Sequence, residues 1–206
     1  MLQRIWNVAK KQWDITLPSQ NPFDLVSLEK VSNERDIQLT DDEFKKLVEV
    51  AAASKLICLA DMIKFAALTA ARYSEITGLL RQNVDFSKKT ATFYDTKNTE
   101  NKTIPLHEGA IEILKRYPFG EKFFVIKSRE SFRHHWETVR AKAGLKDFRF
   151  HDLRSFAANR MLLSGMSEIE VATVGGWKTL AVLHRRYARI KARQLIGKIN
   201  NVVNLK

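Results

Sequence analysis

The feature of this sequence that most restricts its fold is a change of hydrophobic period near the middle of the chain. Before residue 83, apolar residues recur every three or four positions, as in amphipathic α-helices. From 83 to 106, three short stretches alternate apolar with polar residues, as in β-strands. Helical spacing then returns at Glu108. The pattern predicts a mainly α domain with a small three-stranded antiparallel β-sheet inserted after its third helix.

Caps and breakers set the predicted element boundaries. Thr40 and Glu43 form a capping box before one helix, Ser167 and Glu170 form a second capping box before another, and Ser74 is predicted to cap a short helix. The predicted helices cover 2–13, 41–53, 55–71, 74–80, 108–117, 128–143, 152–163, 167–174 and 179–199, and the predicted strands 83–86, 90–94 and 102–106.

The chain is predicted to have two parts. Residues 1–36 contain an amphipathic helix and a polar stretch with Pro18 and Pro22. We interpret them as the last helix of a truncated N-terminal domain, followed by a linker. Residues 37–206 form the second domain. The single cysteine, Cys58, excludes a disulfide framework and fits a reducing cytoplasm. No apolar run is long enough to span a membrane.

Charge gives the first indication of function. The 35 Lys and Arg residues exceed the 23 Asp and Glu residues, for a net charge of +12. From Val171 to Lys206 there are eight basic residues and no acidic one. Such an excess of positive charge favours a polyanionic partner, and nucleic acid is a better candidate than a membrane surface. The alternative is a merely basic soluble protein. The candidate DNA-phosphate contacts in this segment are Lys178, Arg185, Arg186 and Arg189.

Several cationic side chains lie where the predicted elements begin or end. Arg72 follows the most apolar helix, where it can meet an anion or pair with Glu75. Lys97 lies in the turn between the second and third strands and can equally be an exposed turn lysine. His151 and Arg154 share one face at a predicted helix N-terminus, which suits an anion or a polar capping cluster.

Two aromatic residues complete the candidates. Trp177 follows Gly175-Gly176, and by itself it is more typical of a core residue than of a ligand. Tyr187 lies among His184, Arg185, Arg186 and Arg189, and nearby positive charge lowers a phenol pKa. A lowered pKa is one requirement for a tyrosine nucleophile, and a stacking tyrosine is the alternative.

In order and spacing, these segments resemble the conserved boxes of the tyrosine recombinases, the phage-integrase family. ARYSEI at 71–76 resembles the R-x-S-E-L box, and HDLR at 151–154 matches H-x-L-R. GGW at 175–177 matches the G-[HW] box, and Tyr187-Ala188 the terminal tyrosine box. Lys97, in TKN followed by KTIPL, resembles the hairpin lysine. The resemblance runs from about Thr40 to Ile190.

The resemblance implies an enzyme that cuts and rejoins DNA at specific sites through a 3′-phosphotyrosyl intermediate. It implies that Tyr187 is the nucleophile and that Arg72 and Arg154 hold the phosphate. It further implies that His151 handles the tyrosine proton and that Lys97 protonates the leaving 5′-oxygen. No metal and no cofactor are implied. The implied catalytic set is Arg72, Lys97, His151, Arg154, Trp177 and Tyr187.

The sequence departs from the family pattern at one point. Tyr187 lies ten positions after Trp177, where the family implies nine, so an extra residue falls in the 178–184 segment or bulges the helix. Two other functions therefore stay open: a non-catalytic DNA-binding remnant of an integrase, and a topoisomerase-like nicking-closing enzyme. The family also carries an N-terminal DNA-clamping domain, to which the helix within residues 1–36 is assigned.

The resemblance implies double-stranded DNA as partner and a homotetramer on paired DNA sites, formed from a monomer in free solution. The tail has one apolar helical stripe that needs a surface to cover it. We expect this stripe to pack on its own domain or to dock into a neighbouring subunit. Its members are Leu195, Ile199, Val202 and Val203.

Overall fold

The computed structural model describes residues 2–13, 15–26, 39–94, 101–186 and 195, and the chain divides into two compact units, Met1–Arg35 and Asp36–Lys206. The first unit contains helix α1 (Leu2–Gln12) and a short 3₁₀ turn at Pro22–Leu25. The edge of the Trp6 ring packs against Phe23, with the ring centroids 6.3 Å apart.

The second unit has the predicted architecture, which is mainly helical with one small three-stranded sheet. Its helices are α2 (Asp41–Ala52), α3 (Leu59–Thr69), α4 (Tyr73–Thr77), α5 (Glu108–Lys115), α6 (Arg129–Lys142), α7 (Leu153–Leu163), α8 (Glu168–Gly175) and α9 (Leu180–Arg186). Its strands are β1 (Val84–Asp85), β2 (Thr90–Phe93) and β3 (Lys102–Pro105), and 3₁₀ turns occur at Arg81–Asn83 and Phe150–Asp152.

The sheet is antiparallel in the order β1-β2-β3, which confirms the predicted fold class. Ala91 on β2 pairs with Ile104 on β3, and both side chains are fully buried. On the other face, the hydroxyls of Thr92 and Thr103 lie 2.9 Å apart. Burial of one face fixes the register, because a slip of one residue would expose every apolar side chain.

The two predicted capping boxes are present. The backbone N–H of Glu43 donates to the Thr40 hydroxyl at 3.2 Å, and the backbone N–H of Thr40 donates to the Glu43 carboxylate at 2.8 Å. Ser167 and Glu170 make the same reciprocal pair at the start of α8. Each pair satisfies amide groups that the first helical turn leaves without partners.

Two predicted helix boundaries are wrong. Helix α3 begins at Leu59 rather than residue 55, because the hydroxyl of Ser54 accepts the Leu56 N–H and holds a turn instead. Ser74 is not a cap, because the carboxylate of Glu75 accepts the backbone N–H of Arg72 at 2.7 Å. Arg72 is therefore the N-cap, and α4 covers only Tyr73–Thr77.

The buried side chains form two clusters. The larger surrounds α3, where Met62, Ile63 and Phe65 are fully buried, and it includes the inner face of the sheet. The smaller lies between α7, α8 and α9 and includes Ala157, Val171 and Leu183. In the part of the chain that the structure describes, no helix is both long and apolar enough to cross a membrane.

Candidate active site

Arg72 is placed by the end of α3. The helix stops because Ala70 adopts a left-handed conformation, with φ of 52°, and Arg72 then continues in an extended conformation. Its guanidinium Nη1 donates to Glu75 Oε1 at 2.6 Å, so the pairing considered from sequence is present. The Arg72 side chain nevertheless stays 43 % exposed. Arg72 is thus held by a carboxylate and still open to an anion from solvent.

Arg154 lies in the first turn of α7 and is only 2 % exposed. One of its guanidinium nitrogens donates to the Ala70 carbonyl. The guanidinium carbon also lies 4.2 Å from the centroid of the Trp177 ring. The C-terminal carbonyls of a helix and the face of an indole are both partially negative, so both stabilise this buried cation.

The two glycines before Trp177 allow its ring to fold back onto α8. A Cβ atom on Gly175 would lie 1.8 Å from Trp177 Cζ3, so no larger residue fits there without moving the ring. Gly176 turns the chain with a left-handed φ of 68°. The Trp177 ring is consequently buried against the Arg154 guanidinium, where it serves both the core and the site.

Lys102 lies in one cluster with Arg72, Arg154 and Trp177, although it was not among the candidate residues predicted from the sequence. It lies at the start of β3, and its side chain is only 15 % exposed. Its Nζ donates to Glu75 Oε2 at 3.1 Å and to the Gly175 carbonyl at 3.2 Å. The alternation of side chains along β3 could have identified Lys102 as an inward-facing lysine, since it lies on the same face of the strand as the buried Ile104.

The cluster brings two cations, Arg72 and Lys102, onto the Glu75 carboxylate, and the charge of Arg154 acts on Lys102. Burial, together with the charges of Arg154 and Arg72, lowers the pKa of Lys102 to about 8 against the opposing attraction of Glu75. Burial alone would raise the pKa of Glu75, but Lys102 and Arg72 hold it below its ordinary value. The arrangement has a net positive charge in a partly desolvated position, which suits an anionic ligand.

His151 differs from the prediction in its surroundings. It lies in the 3₁₀ turn before α7 and is exposed, whereas Arg154 is buried, so the two do not present a shared open face. A cleft of about 950 Å³ is lined by His151 together with Arg72, Tyr94 and Arg129. His151 therefore faces the same open space as the exposed part of Arg72.

The remaining predicted residues are only partly described. Lys178 is exposed and lines a second cleft with Arg72, Lys102 and Trp177. Arg185 and Arg186 lie in the last turn of α9. Lys97, Tyr187 and Arg189, and the tail stripe except Leu195, lie outside the described residues.

Helix α9, which precedes Tyr187 in the sequence, is held against α8. Leu183 is fully buried in the smaller cluster, and His184 Nε2 lies 2.8 Å from Glu168 Oε2. The Thr179 hydroxyl accepts the Val182 N–H at the first turn. Only two residues, 178 and 179, separate Trp177 from α9.

Comparisons with known proteins identify relatives of this chain. The chain is 29 % identical over 202 residues to a shufflon-specific DNA recombinase of Escherichia coli, covering 97 % of this chain and 52 % of that protein. It is 25 % identical to an integrase of Salmonella phage P22, covering 94 % of this chain and 53 % of that protein. The chain thus spans about half the length of these relatives.

The fold is also found among solved structures. The crystal structure of a lambda integrase dimer bound to a COC′ core site superposes with a TM-score of 0.73 and 20 % identity, covering 93 % of this chain and 58 % of that one. The sequence model of the phage integrase family matches residues 38–194, a segment that contains all six predicted catalytic residues. The chain belongs to the phage integrase family.

Proposed function

We propose that this chain cuts and rejoins double-stranded DNA at specific sites, with Tyr187 as the nucleophile that becomes linked to a 3′-phosphate. The observation that carries the proposal is a cationic cluster in which Arg72 and Lys102 both pair with Glu75, while the charge of the buried Arg154 acts on Lys102. Such a site stabilises the added negative charge of a pentacoordinate phosphate.

In the proposed first step, the Tyr187 phenol oxygen forms a bond to the phosphorus of one phosphodiester, and the bond from phosphorus to the 5′-oxygen breaks. The phenol proton passes to His151, and the leaving 5′-oxygen takes a proton from Lys97. Rejoining is the reverse, with a 5′-hydroxyl attacking the phosphotyrosine and releasing Tyr187. The phosphotyrosine conserves the bond energy, so the cycle needs no ATP.

The two arginines differ in burial and therefore in their proposed roles. Arg72 is partly exposed and lines both clefts, so it meets a non-bridging phosphate oxygen directly. Arg154 lies beneath the Trp177 ring and adds positive charge from a poorly solvated position, where Coulomb interactions are stronger. Glu75 orients Arg72 through the 2.6 Å hydrogen bond rather than reacting.

The decisive experiment is capture of the covalent intermediate. The chain is incubated with a nicked suicide DNA substrate containing its site, and the product is examined for a denaturation-resistant protein–DNA adduct. We expect the adduct with the unaltered chain and none with Tyr187→Phe. Tyr94→Phe is the matched control, because Tyr94 lines the larger cleft but is not the proposed nucleophile. An adduct with Tyr187→Phe would refute the assignment.

A second assay separates recombination from nicking and closing. A recombinase transfers a strand between two duplexes, whereas a topoisomerase-like enzyme relaxes supercoiled DNA without joining new partners. We expect strand transfer between two labelled duplexes. Relaxation without any transfer would favour the topoisomerase-like alternative, and binding without an adduct would indicate a non-catalytic DNA-binding protein.

We further propose that the chain assembles as a tetramer on paired DNA sites. Lys178, Arg185, Arg186 and Arg189 are the proposed phosphate contacts, so binding should weaken steeply with salt. Deletion of residues 195–206 should leave the domain folded but reduce cooperative assembly, if the tail docks into a neighbouring subunit. Gel-shift titration over a range of salt tests both points, and unfolding of the deleted monomer would instead place the tail on its own domain.

A further inference from the structure

The buried lysine of β3 connects three separate parts of the site. Its Nζ lies between Glu75 Oε2, at 3.1 Å, and the Gly175 carbonyl, at 3.2 Å. Glu75 in turn holds Arg72, and Gly175 directly precedes the turn that places Trp177. An ammonium group at this point therefore fixes the distance between the Arg72 segment and the end of α8.

The stem of the same lysine is also enclosed. A Cβ atom on Gly176 would lie 2.4 Å from Lys102 Cδ, so the glycine leaves room for the side chain to pass. On the other side, Lys102 Nζ lies 5.0 Å from the centroid of the Phe93 ring. Gly176 and Phe93 thus enclose the Lys102 side chain on two sides. A lysine that only contributed positive charge at the surface would not require this enclosure.

We propose that Lys102 is a positioning residue for strand cleavage, holding Glu75 and the Gly175 carbonyl so that Arg72 and Trp177 meet the same phosphate. The inference rests on the proposed function. It assigns Lys102 no contact with DNA and no proton transfer, because Nζ is already occupied by two acceptors and the side chain is mostly buried.

The proposal has a pH signature. The charged groups that face Lys102 are Glu75 from α4, Arg72 at its N-cap and Arg154 from α7, while β2 and α8 contribute the Phe93 ring and the Gly175 carbonyl. With a pKa of about 8, Lys102 is charged at pH 7 and neutral well above pH 8. Loss of that charge ends the ion pair with Glu75, so positioning should weaken as pH rises.

Lys102→Met is the suitable variant, because methionine replaces the enclosed stem and removes only the ammonium group. Its adduct-forming rate at saturating suicide DNA should be lower than that of the unaltered chain by about tenfold to a hundredfold, since a misplaced phosphate-binding group costs that much. DNA affinity should stay within about twofold, because Lys102 is not a DNA contact. Lys89→Met is the control, since Lys89 lies in the turn before β2 and makes an exposed ion pair with Glu108 of α5.

Epistasis and pH give readouts that a purely structural role would not affect. In the Arg72→Ala background, Lys102→Met should cause a smaller loss of rate than in the unaltered chain, because the part of its effect that acts through Arg72 is already lost. The difference in rate between the unaltered chain and Lys102→Met should also shrink above pH 8.

Four results are decisive. An unchanged rate for Lys102→Met, or a full additional loss in the Arg72→Ala background, overturns the positioning role while leaving the proposed function intact. Absence of an adduct from the unaltered chain instead refutes the proposed function. If circular dichroism shows that Lys102→Met is unfolded, Lys102→Arg is tested in its place. A cleavage rate for Lys102→Arg as low as that of Arg72→Ala would then overturn the positioning role.

Discussion

Replacing Gly175 by alanine should have two opposing effects on the free energy of unfolding, one from helix propensity and one from packing. Gly175 is the last residue of α8, and alanine in place of glycine within a helix ordinarily stabilises it by up to about 1 kcal/mol. The added methyl group, however, would lie 1.8 Å from Trp177 Cζ3 and 2.3 Å from Cε3, against ordinary contacts of 3.4 Å or more. The indole ring must therefore leave its place.

The cost of moving the ring can be estimated from its contacts. Overpacking a well-filled region costs about 1–3 kcal/mol. A desolvated cation–π contact such as that between Arg154 and Trp177, at 4.2 Å, contributes about 2 kcal/mol. After subtraction of the propensity gain, Gly175→Ala should lower the free energy of unfolding by about 2–4 kcal/mol.

Urea unfolding followed by far-ultraviolet circular dichroism measures this change without depending on the displaced indole. Gly109→Ala is the matched control, because Gly109 lies in the first turn of α5 and its nearest neighbour, the capping His107 side chain at 3.3 Å, would have to shift by only a few tenths of an ångström. The control should change stability by less than about 1 kcal/mol. If Gly175→Ala is as stable as the unaltered chain, the packing of Trp177 against α8 is not what requires this glycine.

Three further predictions concern the charges of the site. Arg72→Ala should slow cleavage of suicide DNA by at least about a hundredfold, and Arg72→Lys should not restore it because a single ammonium cannot reproduce the guanidinium fork. Cleavage should continue in EDTA, since Arg72 and Arg154 supply the charge that a metal would; a magnesium requirement would instead indicate a nuclease. Glu75 has a lowered pKa in the folded chain, so the stability it contributes is present above its ordinary pKa of 4.5 and is lost as pH falls through the folded value. Glu75→Gln should therefore show a shallower fall in urea-unfolding free energy on acidification, and an unchanged slope would contradict the assignment.

Much of the fold was predictable because its signals are local. The change from helical to alternating spacing locates the sheet, and the Thr40 and Ser167 capping boxes are present as predicted. The errors arose where a side chain competes with regular backbone hydrogen bonding. Ser54 holds a turn that delays α3, and Glu75 caps the Arg72 N–H, so that the more familiar cap residue Ser74 has no such role.

The site was predictable as a set of residue types but not as an arrangement. Sequence order identified Arg72, Arg154 and Trp177, which the structure brings together. The burial of Arg154 was not evident, because it depends on a ring 23 positions away folding back over it. Lys102 was missed because its partners, Glu75 and Gly175, are distant in sequence and only the folded chain shows that they share one ammonium group.

The contact between Trp177 and Arg154 also gives the protein an intrinsic optical probe. Indole emission responds to nearby charge, and here a guanidinium lies 4.2 Å from the ring centroid. An anion that draws this guanidinium towards itself would change the local field and so the emission wavelength. In a chain whose other tryptophans, Trp6, Trp13 and Trp136, are replaced by phenylalanine, fluorescence could then follow arrival of the phosphate on the stopped-flow timescale, before any covalent bond forms.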